Sequence, residues 1–148
     1  MHADEKKESG RIRNSFGNGV ARQCRAHCRA TEPVRSLSII VVVMEVIRWN
    51  PEQDGPLSER ALREKMERQG YSVSRYTYPP GTYFGPHTHD LDKMDAVVAG
   101  QFQITMQGRA MILRAGDAVR VPSGAVHAAE VVGIEPVISL DGVKSATE

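Results

Sequence analysis

The chain has 148 residues, a net charge of +1 at pH 7, 41% hydrophobic residues and 25% charged ones. That length suits one domain with at most a tail, and the near-neutral balance excludes a polyanion as partner of the whole chain. Two cysteines exclude a disulfide framework, and the apolar run from Leu37 to Met44 is far too short to span a bilayer.

Residues 1–43 carry eight Lys and Arg residues against four acids and follow neither a helical nor a strand period. They read as a disordered basic tail. A second reading places the true start at Met44, directly before the first orderly pattern (Glu45 to Asn50). Leu37 to Met44 lies too deep for a signal-peptide core, and Glu45, Arg48 and Trp49 follow where a small-residue cleavage site belongs. A cytoplasmic protein is therefore expected. Cys24, His27 and Cys28 lack a fourth ligand nearby and read as incidental. The Arg-rich stretch has little interleaved aromatic character, so nucleic acid is not expected as a partner. Neither is a membrane.

Asn50-Pro51 and Gly55-Pro56 punctuate a loop. Ser58 then reads as an N-cap, and Leu57 as a hydrophobic staple on Leu62. Ala61, Leu62, Lys65, Met66 and Gln69 share one side, and Gly70 supplies a stop. The spacing predicts one short amphipathic helix over 59–69, covering a sheet or barrel end. From Tyr71 the period becomes two. Strands are predicted at 71–77, 102–107, 110–113, 118–121, 126–132 and 136–140, with Phe102, Ile104 and Met106 facing the core. Six or seven short strands with frequent turns argue for an all-β sandwich or barrel. No nucleotide-binding glycine motif joins a strand to a helix, and no serine nucleophile elbow is present.

The chemistry-bearing residues are histidines. His87 and His89, two apart, share one face of an extended chain. His127, from another strand, would complete a facial set for a divalent metal. Three imidazoles suit transition metals better than Mg or Ca.

These residues resemble the cupin family. Gly81, His87, His89 and Gly100 stand at the spacing of its first motif, and Gly116, Pro122, Gly124 and His127 at that of its second. The resemblance implies a jelly-roll, or double-stranded β-helix, barrel over residues 44–148. It also implies a homodimer and a mononuclear centre for Fe, Zn, Mn, Ni or Cu on His87, His89 and His127. One departure matters. Lys93 stands where the family supplies a glutamate ligand, and Val131 where asparagine is common. An ammonium cannot ligate. Three outcomes stay open: a three-histidine centre with open positions, an oxygen ligand from Asp90, Asp92 or Asp95, or a metal-free pocket for an anion. Asp95 shares a strand face with Lys93 and is expected to pair with it. The strand of Arg75, Tyr76 and Tyr78 lines the pocket in this family, with the inward parity undecided. Lys93, Asp95, Tyr76 and Tyr78 are thus the candidate ligand contacts. The expected function is binding or transforming a small polar molecule, by oxygenase, isomerase or lyase chemistry if catalytic. The alternative is a non-catalytic binding or sensing module with Lys93 as counter-charge. No catalytic residue is assigned, and the sequence does not decide whether the protein is an enzyme.

Overall fold

The first strand, β1 (Glu45–Arg48), leads into a single helical turn, α1 (Pro51–Asp54). The computed structural model describes residues 43–144. The expectations for the basic stretch, Val43 apart, lie outside those residues. The loop predicted at 50–56 contains α1 at its centre. Asn50 Oδ1 accepts the Glu52 N–H at 3.0 Å, and Pro51 occupies a helix start, where its missing N–H costs nothing. Among the described residues there are therefore two helices rather than one.

The longer helix, α2 (Glu59–Arg68), begins as predicted, with Ser58 Oγ accepting the Ala61 N–H at 3.1 Å. Leu57, expected to staple onto Leu62, holds its methyl groups over Gly116 and is 41% exposed. Eight strands follow: β2 (Tyr71–Tyr78), β3 (Tyr83–His87), β4 (Lys93–Ala99), β5 (Gln101–Met106), β6 (Arg109–Leu113), β7 (Asp117–Val121), β8 (His127–Val132) and β9 (Val137–Lys144).

The strands form two antiparallel sheets, ordered β1-β7-β4-β9-β2 and β3-β8-β5-β6, in a jelly roll. Phe102, Ile104 and Met106 are buried between the sheets, as their alternation predicted, with Val97, Val119, Val121 and Val131. The outer face of the five-stranded sheet is covered by α2, where Leu62 and Met66 pack on Met94, Ala96, Ala118 and Leu140. The two layers make β4 buried on both faces. Met94 and Ala96 lie under the helix, while Asp95 and Val97 point between the sheets.

β4 was not predicted, because a strand buried on both sides shows no polar alternation. β3 escaped because Gly85 and Pro86 interrupt it. With these two and β1, the described residues hold nine strands, not six or seven.

Candidate metal centre

The histidine cluster is built at one end of the four-stranded sheet. β8 alternates strictly, so His127, Ala129 and Val131 face inward. On β3 the inward residue is Phe84, opposite Ala129, yet the next inward residue is His87, opposite His127. Three residues of β3 thus span two of β8. This bulge turns His87 inward.

His89 lies past the end of β3 rather than on it. Its loop is fixed by the turn after β7. Gly124 N–H donates to the His89 carbonyl at 2.8 Å, Ser123 N–H to Asp92 Oδ1 at 2.8 Å, and Ser123 Oγ–H to the Asp90 carbonyl at 2.7 Å. Asp92 and Ser123 were not singled out as a clamp. The only sequence signal was that the two motifs stand at fixed spacings.

The three rings converge, with His87 centred 4.8 Å from His89 and 4.3 Å from His127, and His89 5.1 Å from His127. Their closest ligand atoms all lie within 4.8 Å of one another, and among the described residues no carboxylate joins this group. Two of the rings are oriented from behind. His87 Nδ1 lies 2.7 Å from the Gly85 carbonyl and His127 Nδ1 2.9 Å from the Ala125 carbonyl. A carbonyl only accepts, so each Nδ1 carries the proton and each Nε2 keeps its lone pair. His87 Nε2 lies 3.1 Å from His89 Nε2. Two nitrogens each about 2.1 Å from one ion lie about 3.0 Å apart at a right angle and about 3.4 Å apart at the tetrahedral angle. The His87–His89 pair therefore stands at the spacing of two ligands of one transition-metal ion, with His127 as the third donor of the group.

Electrostatics favour the neutral rings that ligation needs. Burial holds the His89 imidazole below its ordinary pKa, and the Lys93 ammonium adds to the effect. Burial also lowers that of His127, against the hydrogen bond to Ala125, which raises it.

Behind the histidines lies a cavity of about 160 Å³, lined by Lys93, Asp95, Tyr78, Asp141, Phe84 and Phe102 among others. Lys93 Nζ stands 3.4 Å from Asp95 Oδ1 and 3.9 Å from Asp141 Oδ2. The expected Lys93–Asp95 pair is thus present, with Asp141 as a third member that sequence reasoning missed. β9 brings Asp141 directly opposite Asp95 on β4, and no local pattern in the sequence signals that pairing. Burial raises the Asp95 carboxyl above its ordinary range, and Lys93 partly opposes this. Tyr78 O–H donates to Asp141 Oδ2 at 3.2 Å, and burial beside that acid pushes the phenol up. Tyr76, expected as a ligand contact, stacks on Tyr78 with ring centres 5.9 Å apart, but it is 46% exposed and does not line the cavity. Arg75 turns away, to Glu59 of α2. Of the acids offered as an oxygen ligand, Asp92 is engaged by Ser123, Asp90 is exposed, and Asp95 is held by Lys93.

Residues 74–142 match the family model described as the cupin domain. The chain carries a cupin domain. No curated protein matches the chain. Solved structures similar to it include KdgF from Halomonas sp., at 22% identity, covering 52% of this chain and 72% of that one, with a TM-score of 0.46. The DMSP lyase DddQ from Ruegeria pomeroyi is 26% identical over 53% of this chain and 40% of its own, with a TM-score of 0.48. A cupin-like protein from Thermotoga maritima is 24% identical over 51% of this chain and 57% of its own, with a TM-score of 0.47. The cupin domain here thus spans less than two thirds of the latter two proteins. At this level of likeness no substrate passes from any of them to this chain. The matched segment contains both motifs and all three clustered histidines.

Proposed function

We propose that this cupin domain holds one divalent transition metal on His87, His89 and His127 and binds or transforms a small polar molecule in the adjoining cavity. The observation that carries the reading is the convergence of three imidazoles, two of them with Nδ1 tied to a backbone carbonyl so that Nε2 is free. A bound metal would supply Lewis acidity toward an oxygen-bearing ligand. The chain's own residues set the rest. Phe84 and Phe102 give the cavity an apolar wall that limits water. Lys93, Asp95, Asp141 and Tyr78 face the ligand with fixed charges and hydrogen-bonding groups. The cavity is roughly ten times what one water needs, which sets the scale of the ligand.

The metal-free alternative, with Lys93 as counter-charge to an anion, is the weaker reading. Lys93 already stands between two carboxylates, and an anion entering beside it meets both. From the family resemblance the reading also takes a homodimer, and from the poor fit of Leu37 to Met44 to a signal peptide a cytoplasmic location. No helix among the described residues is long and apolar enough to cross a membrane, and sedimentation equilibrium measures the subunit count.

The test of the centre is metal content by elemental mass spectrometry on wild type, His87→Ala and His127→Ala. Near-stoichiometric Fe, Mn, Ni, Cu or Zn in wild type, lost in both variants, is the expected result. Wild-type protein that neither contains metal nor takes up added metal sinks the reading.

A further inference from the structure

The acids of the cavity are satisfied unequally. Asp141 accepts from Ser139 Oγ at 2.6 Å on one oxygen and from Tyr78 O–H at 3.2 Å on the other. Asp95, opposite it, is 6% exposed, and its Oδ1 has no hydrogen-bond donor. The Lys93 ammonium, 3.4 Å away, makes a charge contact outside hydrogen-bond geometry and is shared with Asp141 at 3.9 Å. A buried carboxylate oxygen without a donor costs free energy, because water's hydrogen bonds are lost and the shared ammonium offsets that only in part. Asp95 lines the cavity. A ligand that brings a donor to the cavity-facing side of this carboxylate lowers its cost of burial. One that brings a carboxylate finds two acids for one ammonium.

We infer that the cavity selects a small molecule presenting a hydrogen-bond donor, a hydroxyl or an amine, to the Asp95 carboxylate. The inference rests on the cavity being the ligand site named above. It assigns Asp95 a role in specificity and defines the ligand as a donor-bearing small molecule rather than a simple acid.

The test uses the full chain as purified, wild type and Asp95→Asn, with ethylene glycol, ethanolamine and acetate as probes of equal heavy-atom count. Backbone amide shifts report binding. The expected result is that the affinity ratio of donor probe to acetate falls about tenfold or more in Asp95→Asn, as suits a hydrogen bond to a charged acceptor. Any attraction of the probes to a bound ion is common to both proteins and cancels in that comparison. The arm that falls further, glycol or ethanolamine, distinguishes hydroxyl from amine. An unchanged ratio overturns the inference, as does the absence of saturable binding of both donor probes to wild type. If Asp95→Asn does not fold, metal-stripped wild type decides: acetate binding as tightly as both donors is then the overturning result. Elemental analysis of the same samples keeps the readings apart, since metal-free protein with the donor preference intact sinks the histidine centre alone.

Discussion

Asp92 shows how a residue that touches no ligand can govern a site. Its Oδ1 accepts the Ser123 N–H, and with the Gly124-to-His89 hydrogen bond it pins the loop that carries His89 past the end of β3. Outer partners of metal ligands are commonly worth 10- to 100-fold in affinity, because they hold the ligand where the ion needs it. Asp92→Ala is therefore expected to weaken metal binding roughly tenfold, while its exposed position limits the loss of fold stability to about 1 kcal/mol. Competition with a chelator of known affinity measures the first and urea unfolding the second. Equal metal affinity in the two proteins would show that the His89 loop holds itself.

At the scale of elements, the joint between β4 and β5 is the tightest point. Gly100 has φ +83°, and a Cβ built there would run into the Pro136 carbonyl. Gly108, in the β5–β6 hairpin, has φ +71° with nothing within 4 Å of such a Cβ. The pair separates backbone strain from collision. Gly108→Ala should cost about 1–2 kcal/mol, the strain alone. Gly100→Ala adds the collision and should cost about 1–3 kcal/mol more by urea unfolding. Similar costs for the two would mean that the β8–β9 loop yields at Pro136.

These joints also explain what the sequence discloses. Glycine punctuation and the period-two stretches from Phe102 to Val132 marked the strands whose opposite faces meet different surroundings. α2 was legible because Ser58, Leu62, Met66 and Gly70 each signal the same helix. β4 was hidden because both its faces are buried, and β3 because a bulge breaks its period, yet these strands bring Lys93, Asp95 and His87 to the cavity. The histidines were legible as a set because each stands at a fixed spacing from the glycines and proline of its own motif. The facing of Asp95 by Asp141 was not, because it depends on pairing between strands more than forty residues apart. The position of His89 off the strand was likewise decided by a contact with the β7–β8 turn.

For the whole molecule, the cavity joins two sheets, with histidines from the four-stranded sheet and its adjoining loop, and acids and lysine from the five-stranded one. Its titrating groups therefore affect the stability of the fold, with opposite signs. His89 and His127 sit below their ordinary value of 6.5 when folded. As pH falls through 6.5 the unfolded chain takes up protons that the folded one does not, so the stability these groups confer is lost toward acid. Asp95 sits above its ordinary 3.8 when folded. Between those values the folded state binds the extra proton, so its contribution is present in acid and lost as pH rises. In metal-free protein, His127→Ala should therefore flatten the fall in stability below pH 6.5. Asp95→Asn should make stability climb more steeply with pH above 3.8. Metal adds a third effect, since binding to the folded state alone stabilises by about 4 kcal/mol at a thousandfold excess over Kd. That gain is expected as a rise of at least about 10 °C in Tm at neutral pH. It should persist somewhat below pH 6.5, because burial keeps two of the ligands neutral there, and then disappear on further acidification. Calorimetry on wild type, His127→Ala and Asp95→Asn, with and without metal from below pH 3.8 to neutrality, measures all of these slopes. A metal-dependent rise that survives unchanged in His127→Ala would place the ion somewhere other than the three histidines.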